Sequence, residues 1–278
     1  MNLCKITLIK YIQSLFILSF FLFLVPFKAN CQGIVNTEKL YQNDTSKFGI
    51  VFEPGIDIQT GNTNVTEYYG TLNMFYRPHK LLNITTVAGT DVLEENKVSI
   101  IQEYFGQFRV LQKLSDKWSV FEFAQLQSSK NLLLLNRRLT GVSGRFNTFN
   151  ADSSKFQLDL SFGAIYEQEK LDASSLTNFE FYQNKIQTDV FRLSIIKTLS
   201  YEFNENVSIS NTVYYQPILV GMNDYRVLNE TDVALGIMSW LDLNLNWTIR
   251  YDSTPPDVLK QMDFFFTMGA VIHYSSKE

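Results

Sequence analysis

The chain has 278 residues, of which 45% are hydrophobic, 14% aromatic and 19% charged, with a formal net charge of −4. That is too apolar and too aromatic for a disordered chain, and it carries no basic excess for nucleic acid. Mean hydropathy is −0.06, and only one apolar run, at the N-terminus, is long enough to suggest a membrane helix, which excludes a bundle of membrane helices.

Residues 1–31 read as a cleaved export signal. Lys5 and Lys10 form a positive start, Ile12 to Val25 an apolar core broken only by Gln13, Ser14 and Ser19, and Pro26 ends it. Ala29-Asn30-Cys31-Gln32 then offers a small-residue cleavage site. The alternatives are a retained anchor, for which the run is short, and a lipoprotein acylated at Cys31, against which stands Lys28 three residues earlier. Cys4 and Cys31 are the only cysteines, so a chain cut after Cys31 has no disulfide, thiol nucleophile or cysteine metal site. Losing Lys5, Lys10 and Lys28 leaves 21 basic residues against 28 acidic ones, a net charge of −7. Residues 32–46 are expected as a short N-terminal periplasmic segment and 47–278 as one β-domain.

Beyond residue 47 the pattern is alternation with period two, the mark of half-buried strands. In chain order, segments are expected at 48–60, 64–77, 81–90, 97–112, 117–128, 132–147, 155–168, 186–203, 206–218, 224–239, 241–253 and 261–274. In the first, Phe48, Ile50, Phe52, Ile56 and Ile58 oppose Glu53, Asp57 and Gln59. In the seventh, Phe156, Leu158, Leu160, Phe162, Ala164 and Tyr166 oppose Gln157, Asp159, Ser161 and Glu167. In the ninth, Val207, Ile209, Val213 and Tyr215 oppose Ser208, Ser210, Thr212 and Gln216. From Leu241 to Asp252 the alternation has no fault, and from Met262 to Tyr274 only Phe265 and Val271 break it.

An even count of about twelve strands suits a transmembrane antiparallel up-and-down β-barrel. The joins after Arg77, Lys113, Phe203 and Ser239 are tight, whereas 169–185 and 254–260 are long. That resembles the short periplasmic turns and longer outer loops of membrane barrels. A soluble β-domain would also alternate, with its apolar face inward. Three features favour lipid outside: polar faces that mix carboxylates and arginines with small polar residues, apolar faces that end in aromatics, and strands long enough to cross a bilayer at a tilt. Pro255-Pro256 cannot continue a ladder and marks a loop.

Three stretches carry a family likeness. They are Gln59-Thr60-Gly61-Asn62-Thr63-Asn64, Arg250-Tyr251-Asp252-Ser253-Thr254-Pro255-Pro256, and Lys260 to Tyr274. In order and spacing the chain resembles, over roughly 47–274, the YdiY-like salt-induced outer-membrane protein family, a domain of unknown function. The resemblance implies an outer-membrane barrel and no established activity. The chain departs from that family in its ending, where Ser275-Ser276-Lys277-Glu278 follow Tyr274 in place of a terminal aromatic, and in the length of 169–185.

Chemistry-bearing motifs are few. His79 and His273 are the only histidines, placed in a turn and near a strand end, and neither suits a Ser–His arrangement or a metal site. Gly141-Val142-Ser143-Gly144 lies within a strand and is no phosphate loop. No cofactor is expected. The informative set is the charges that parity sends to the polar face: Arg192, Arg226, Glu230, Asp232, Asp242, Arg250, Asp252 and Asp263, with Glu53, Asp57, Glu103, Arg109, Asp159 and Glu167 elsewhere. They form either a charged, solute-selecting lumen or a salt-bridged plug. The expectation is a structural barrel or narrow pore of the bacterial outer membrane, with membrane lipid, lipopolysaccharide and, during biogenesis, the barrel-assembly machinery as partners. The alternatives are a lipid- or lipopolysaccharide-modifying enzyme of that membrane and a secreted soluble barrel that binds an apolar ligand.

Overall fold

The computed structural model describes residues 34–38, 47–59, 64–149, 155–176, 186–204, 206–220, 222–238, 241–256 and 259–272. The expected signal, the 60–63 turn and everything from His273 onward lie outside them. Twelve strands hold most of the described chain: β1 (Phe48–Gln59), β2 (Val65–His79), β3 (Leu82–Glu95), β4 (Val98–Lys113), β5 (Trp118–Ser129), β6 (Leu134–Phe149), β7 (Phe156–Leu171), β8 (Gln187–Asn204), β9 (Val207–Pro217), β10 (Tyr225–Met238), β11 (Leu241–Asp252) and β12 (Met262–Ile272). Each pairs antiparallel with the next, in one sheet ordered β1 to β12. The sheet curls into a barrel, since Leu111 of β4, Phe121 of β5 and Leu228 of β10 share one core.

Count and order agree with the alternation. β3 runs on to Glu95 and β7 to Leu171, where charged residues hide the ends. The loop rule holds only in part. β3 and β4 are joined by Asn96 and Lys97 alone, at φ 51° and 66°, the left-handed pair of a tight type I′ hairpin on the side expected to carry long loops. Asn tolerates that conformation and lysine does not, at about 1 kcal/mol. Lys97→Gly is therefore expected to stabilise the barrel by that order, read as a rise in the temperature at which the folded band is lost on a semi-native gel.

Burial is inverted relative to a water-soluble β-domain. The apolar parity is exposed, as in Leu126 at 62%, Phe162 at 57% and Phe191 at 58%. The opposite parity buries charged residues, Arg109, Arg137, Glu167, Glu169, Arg192 and Asp252, beside the apolar Leu111, Phe121, Ile196 and Leu228. Charged groups are almost never buried unless paired. Outward aromatics gather at both ends of the wall. Trp118–Phe146 (4.7 Å between centroids) and Phe156–Tyr201 (6.4 Å) lie toward the tight turns, Tyr166–Phe191 (5.0 Å) and Tyr225–Tyr251 (5.5 Å) toward the other end.

Two features were not legible in the alternation. Residues 34–38, part of the expected periplasmic segment, sit inside the barrel: Ile34 is in its core and Asn36 bonds Glu230 of β10. At the other extreme, no ladder joins β12 to β1 among the described residues. Arg77 donates its N–H to Lys47 O, so odd positions of β1 bond β2 and even ones face the open edge. Pro54 falls on that edge, the place where a strand tolerates a missing N–H.

Candidate functional site

The inward parity of β6, β7, β8 and β10 converges on one carboxylate. Glu167 of β7 accepts from Arg192 Nε at 3.0 Å and from Arg226 Nη1 at 2.7 Å, with Arg137 Nε at 3.7 Å. Its neighbour on the same face, Glu169, takes Arg137 Nη2 at 2.8 Å and Arg226 Nη2 at 3.1 Å. Arg226 turns its remaining Nε to Asp252 of β11 at 2.8 Å. Arg192 reaches Asp224, in the β9–β10 loop, with Nη1 at 2.8 Å and Nη2 at 3.1 Å. The three guanidiniums and four carboxylates are close to charge-balanced, and charge-assisted bonds of this kind are short and directional. They leave Glu167 2% exposed.

Asp224 titrates below the usual carboxylate range. Burial alone would raise it, but the hydrogen bonds and charge of Arg192, aided by Arg226, more than offset that. A carboxyl depressed by folding contributes stability that is present above about pH 4 and is lost as pH falls through its folded value. Unfolding midpoints followed from pH 5 downward are expected to drop less in Asp224→Asn than in the parent; identical slopes would refute the assignment.

A second cluster sits beside the first. Glu38 joins Arg109 of β4 at 2.7 Å and also Arg145 of β6. Both guanidiniums stack on the Phe121 ring, at 3.7 and 5.1 Å from its centroid, a favourable placing of cations over a π face. Asn36 donates to Glu230 at 3.1 Å and accepts from the Tyr214 hydroxyl at 3.1 Å. The space left among Ile34, Glu38, Arg109, Phe121, Glu167 and Tyr214 is about 30 Å³, room for a few waters. Chemically this is a brace: acids and bases neutralise one another, with no nucleophile, base and orienting group in series.

The family model of proteins of unknown function DUF481 matches residues 52–274, from β1 through the last strand. The chain belongs to the DUF481 family. No protein of curated function matches it. Among solved structures, the NanC porin in a rhombohedral crystal form is similar at a TM-score of 0.47 and 8% identity, over 75% of this chain and 94% of that one. The translocator domain of the autotransporter NalP from Neisseria meningitidis is similar at 0.34 and 8% identity, over 84% and 90%. Likeness at that level is one of general shape and assigns neither location nor activity.

Within this DUF481 chain the eight charges selected by parity separate. Arg192, Arg226 and Asp252 meet in the Glu167 brace. Glu230 accepts from Asn36 and Asn246, and Asp232 from Asn246 at 2.7 Å. Arg250 and Asp263 are cross-strand partners, yet the guanidinium lies over the Phe265 ring at 5.1 Å. Asp242 falls in β11, with its side chain outside what is described. His79 accepts the Leu81 N–H at 3.2 Å within an exposed turn, and His273 lies outside the described residues. Reading the sequence missed Arg137, Arg145, Glu169, Asp224 and Glu38. The two arginines and Glu169 were available by parity, since Arg137 and Arg145 share the register of Ser143, and Glu169 that of Glu167. Asp224 in a loop and Glu38 in an aperiodic segment gave no such signal.

Proposed function

We propose that this protein is a non-enzymatic β-barrel of the bacterial outer membrane whose hollow is braced nearly shut, so that its role is structural. The observation that carries the reading is the inverted burial: a cluster of charged side chains buried inside, with large apolar and aromatic side chains exposed along the outside. In water such a wall would expose a continuous greasy surface, whereas in hydrocarbon it is the stable arrangement. The two aromatic groups match interfacial girdles, and the expected export signal supplies the route. Membrane lipid and lipopolysaccharide would then surround the wall, and barrel-assembly machinery would insert it. Residues 34–38 and the Glu167 brace fill the side of the hollow formed by β4 to β10.

A narrow pore is the second reading. It rests on inward-facing Tyr69 of β2 and Phe265 of β12, which stay 49% and 41% exposed, so the hollow is less filled toward the open edge. Expression in a Gram-negative host followed by carbonate extraction tests location: the protein should stay with the membrane pellet, and release into the wash would sink the membrane reading. Planar-bilayer recording separates the roles. Near-silent membranes are expected of the braced barrel; steady, large unit conductance would overturn it in favour of the pore.

A further inference from the structure

The outward parity of β5 to β8 is apolar between the two aromatic groups, with two exceptions of opposite sign, Glu122 on β5 and Lys197 on β8. Arg138, Lys170 and Asp189 also point outward, but beyond the level of the Tyr166–Phe191 contact. Glu122 is exposed and Lys197 half-buried, and neither has an ion pair or hydrogen bond among the described residues. A charge facing lipid costs about 2–4 kcal/mol at mid-depth for lysine and less for glutamate, and an ionisable group there calls for a named partner.

Depth and spacing supply one. Glu122 lies four residues along its strand from Trp118, and Lys197 four residues from Tyr201. In the ladder Lys197 shares the row of Trp118, through Phe146 and Leu160, four rows from Glu122. Strands tilted by about 35–45°, as in membrane barrels, offset that step across three strands, so the two charges sit at one level, each about 13 Å of strand from its aromatic. They are three strands apart, on either side of the β6–β7 ladder. At its centre Gly144 of β6 is the direct cross-strand partner of Phe162 of β7. Phe162 projects with 57% of its surface exposed, and a Cβ added at Gly144 would meet nothing within 4 Å. The wall therefore carries a knob beside a dent, flanked by an acid and a base at equal depth.

A two-fold axis along the membrane normal, between β6 and β7, makes this surface complementary to itself. Rotation preserves depth and exchanges left for right. It sets Phe162 toward the partner's Gly144, and Glu122 opposite the partner's Lys197, twice over. Small and protruding groups at the centre with long side chains at the flanks suit two convex walls in contact. We propose that the outer face of β5 to β8 is a homodimer interface, zipped by reciprocal Glu122–Lys197 pairs and locked by Phe162 in the Gly144 recess. This rests on the membrane reading above, because only in hydrocarbon do the two lone charges demand partners.

The experiment is light scattering on the purified full-length chain in mild detergent, with heat-modifiable gel mobility as the check on folding. The wild type should have twice the protomer mass. E122K alone and K197E alone should each give protomers, since like charges would meet, and E122K/K197E together should restore the dimer. Gly144→Leu should also abolish it while leaving the folded band unchanged. A monomeric wild type, a dimer indifferent to both reversals, or a double variant that stays monomeric would each overturn the interface. Should a reversal prevent folding, Glu122→Gln and Lys197→Gln replace it, with weakened dimers expected and unaltered ones overturning the pairing. A chain released by carbonate would instead overturn the membrane reading.

Discussion

Replacing Glu167 by alanine is expected to lower the stability of the folded barrel by about 3–5 kcal/mol, the usual cost of deleting one member of a buried ionic cluster. The loss follows from the geometry. Arg192 and Arg226 bond this carboxylate at 3.0 and 2.7 Å, and Arg137 stands 3.7 Å away. Without it, three guanidiniums crowd a buried space in which Glu169 and Asp252 already have bonds of their own. Deleting one acid therefore does more harm than the net worth of the pairs it made, because it strands charge where water does not reach. Equilibrium urea unfolding in detergent checks this, and a shift below about 1 kcal/mol would mean the cluster hydrates in solution.

The second large effect is expected at Glu38. Glu38→Ala removes the common acid of Arg109 and Arg145, leaving two cations stacked on Phe121 without the carboxylate between them. The expected cost is again about 3 kcal/mol, but the consequence differs because the acid belongs to the segment lodged in the hollow and not to a strand of the wall. Its other ties include the Asn36 bonds to Glu230 and Tyr214, contacts of Thr37 with Tyr214 and the packing of Ile34. Released, residues 34–38 become accessible to added protease, and the hollow they filled can hydrate. Unit conductance should rise several-fold over the parent in the same bilayers. Unchanged conductance together with unchanged protease resistance would show that the segment is held by something other than this acid.

Strand number, order and facing were legible because alternation is a backbone property: one residue up, the next down, for as long as the ladder lasts. Leu241 to Asp252 is the clearest instance: its register against β12 is unbroken, and against β10 it runs as parity requires from Asp242 to Asp252, with a bulge at Gly236/Met238. What parity cannot convey is distance around the curl. Arg226 and Glu167 lie 59 residues apart in sequence and three strands apart in the sheet, yet bond at 2.7 Å. Parity put them on one face without saying that they meet, while Arg250 and Asp263, direct cross-strand partners, form no ion pair. Arg137-Arg138 shows the ambiguity at its sharpest. Both are arginines, but one is buried at 2% exposure and the next points outward. Glu38 lay beyond this kind of reading, since an aperiodic segment has no parity to follow.

Pro54 turns the unpaired edge into a built-in reporter. Its nitrogen faces away from β2, so restoring an N–H there cannot strengthen the β1–β2 ladder. Any gain in thermal or mechanical resilience from Pro54→Val would therefore reflect cross-seam stitching between the two ends of the chain. A null effect would mean that the first and last strands stand apart at that height, with the curl of the sheet alone keeping them side by side.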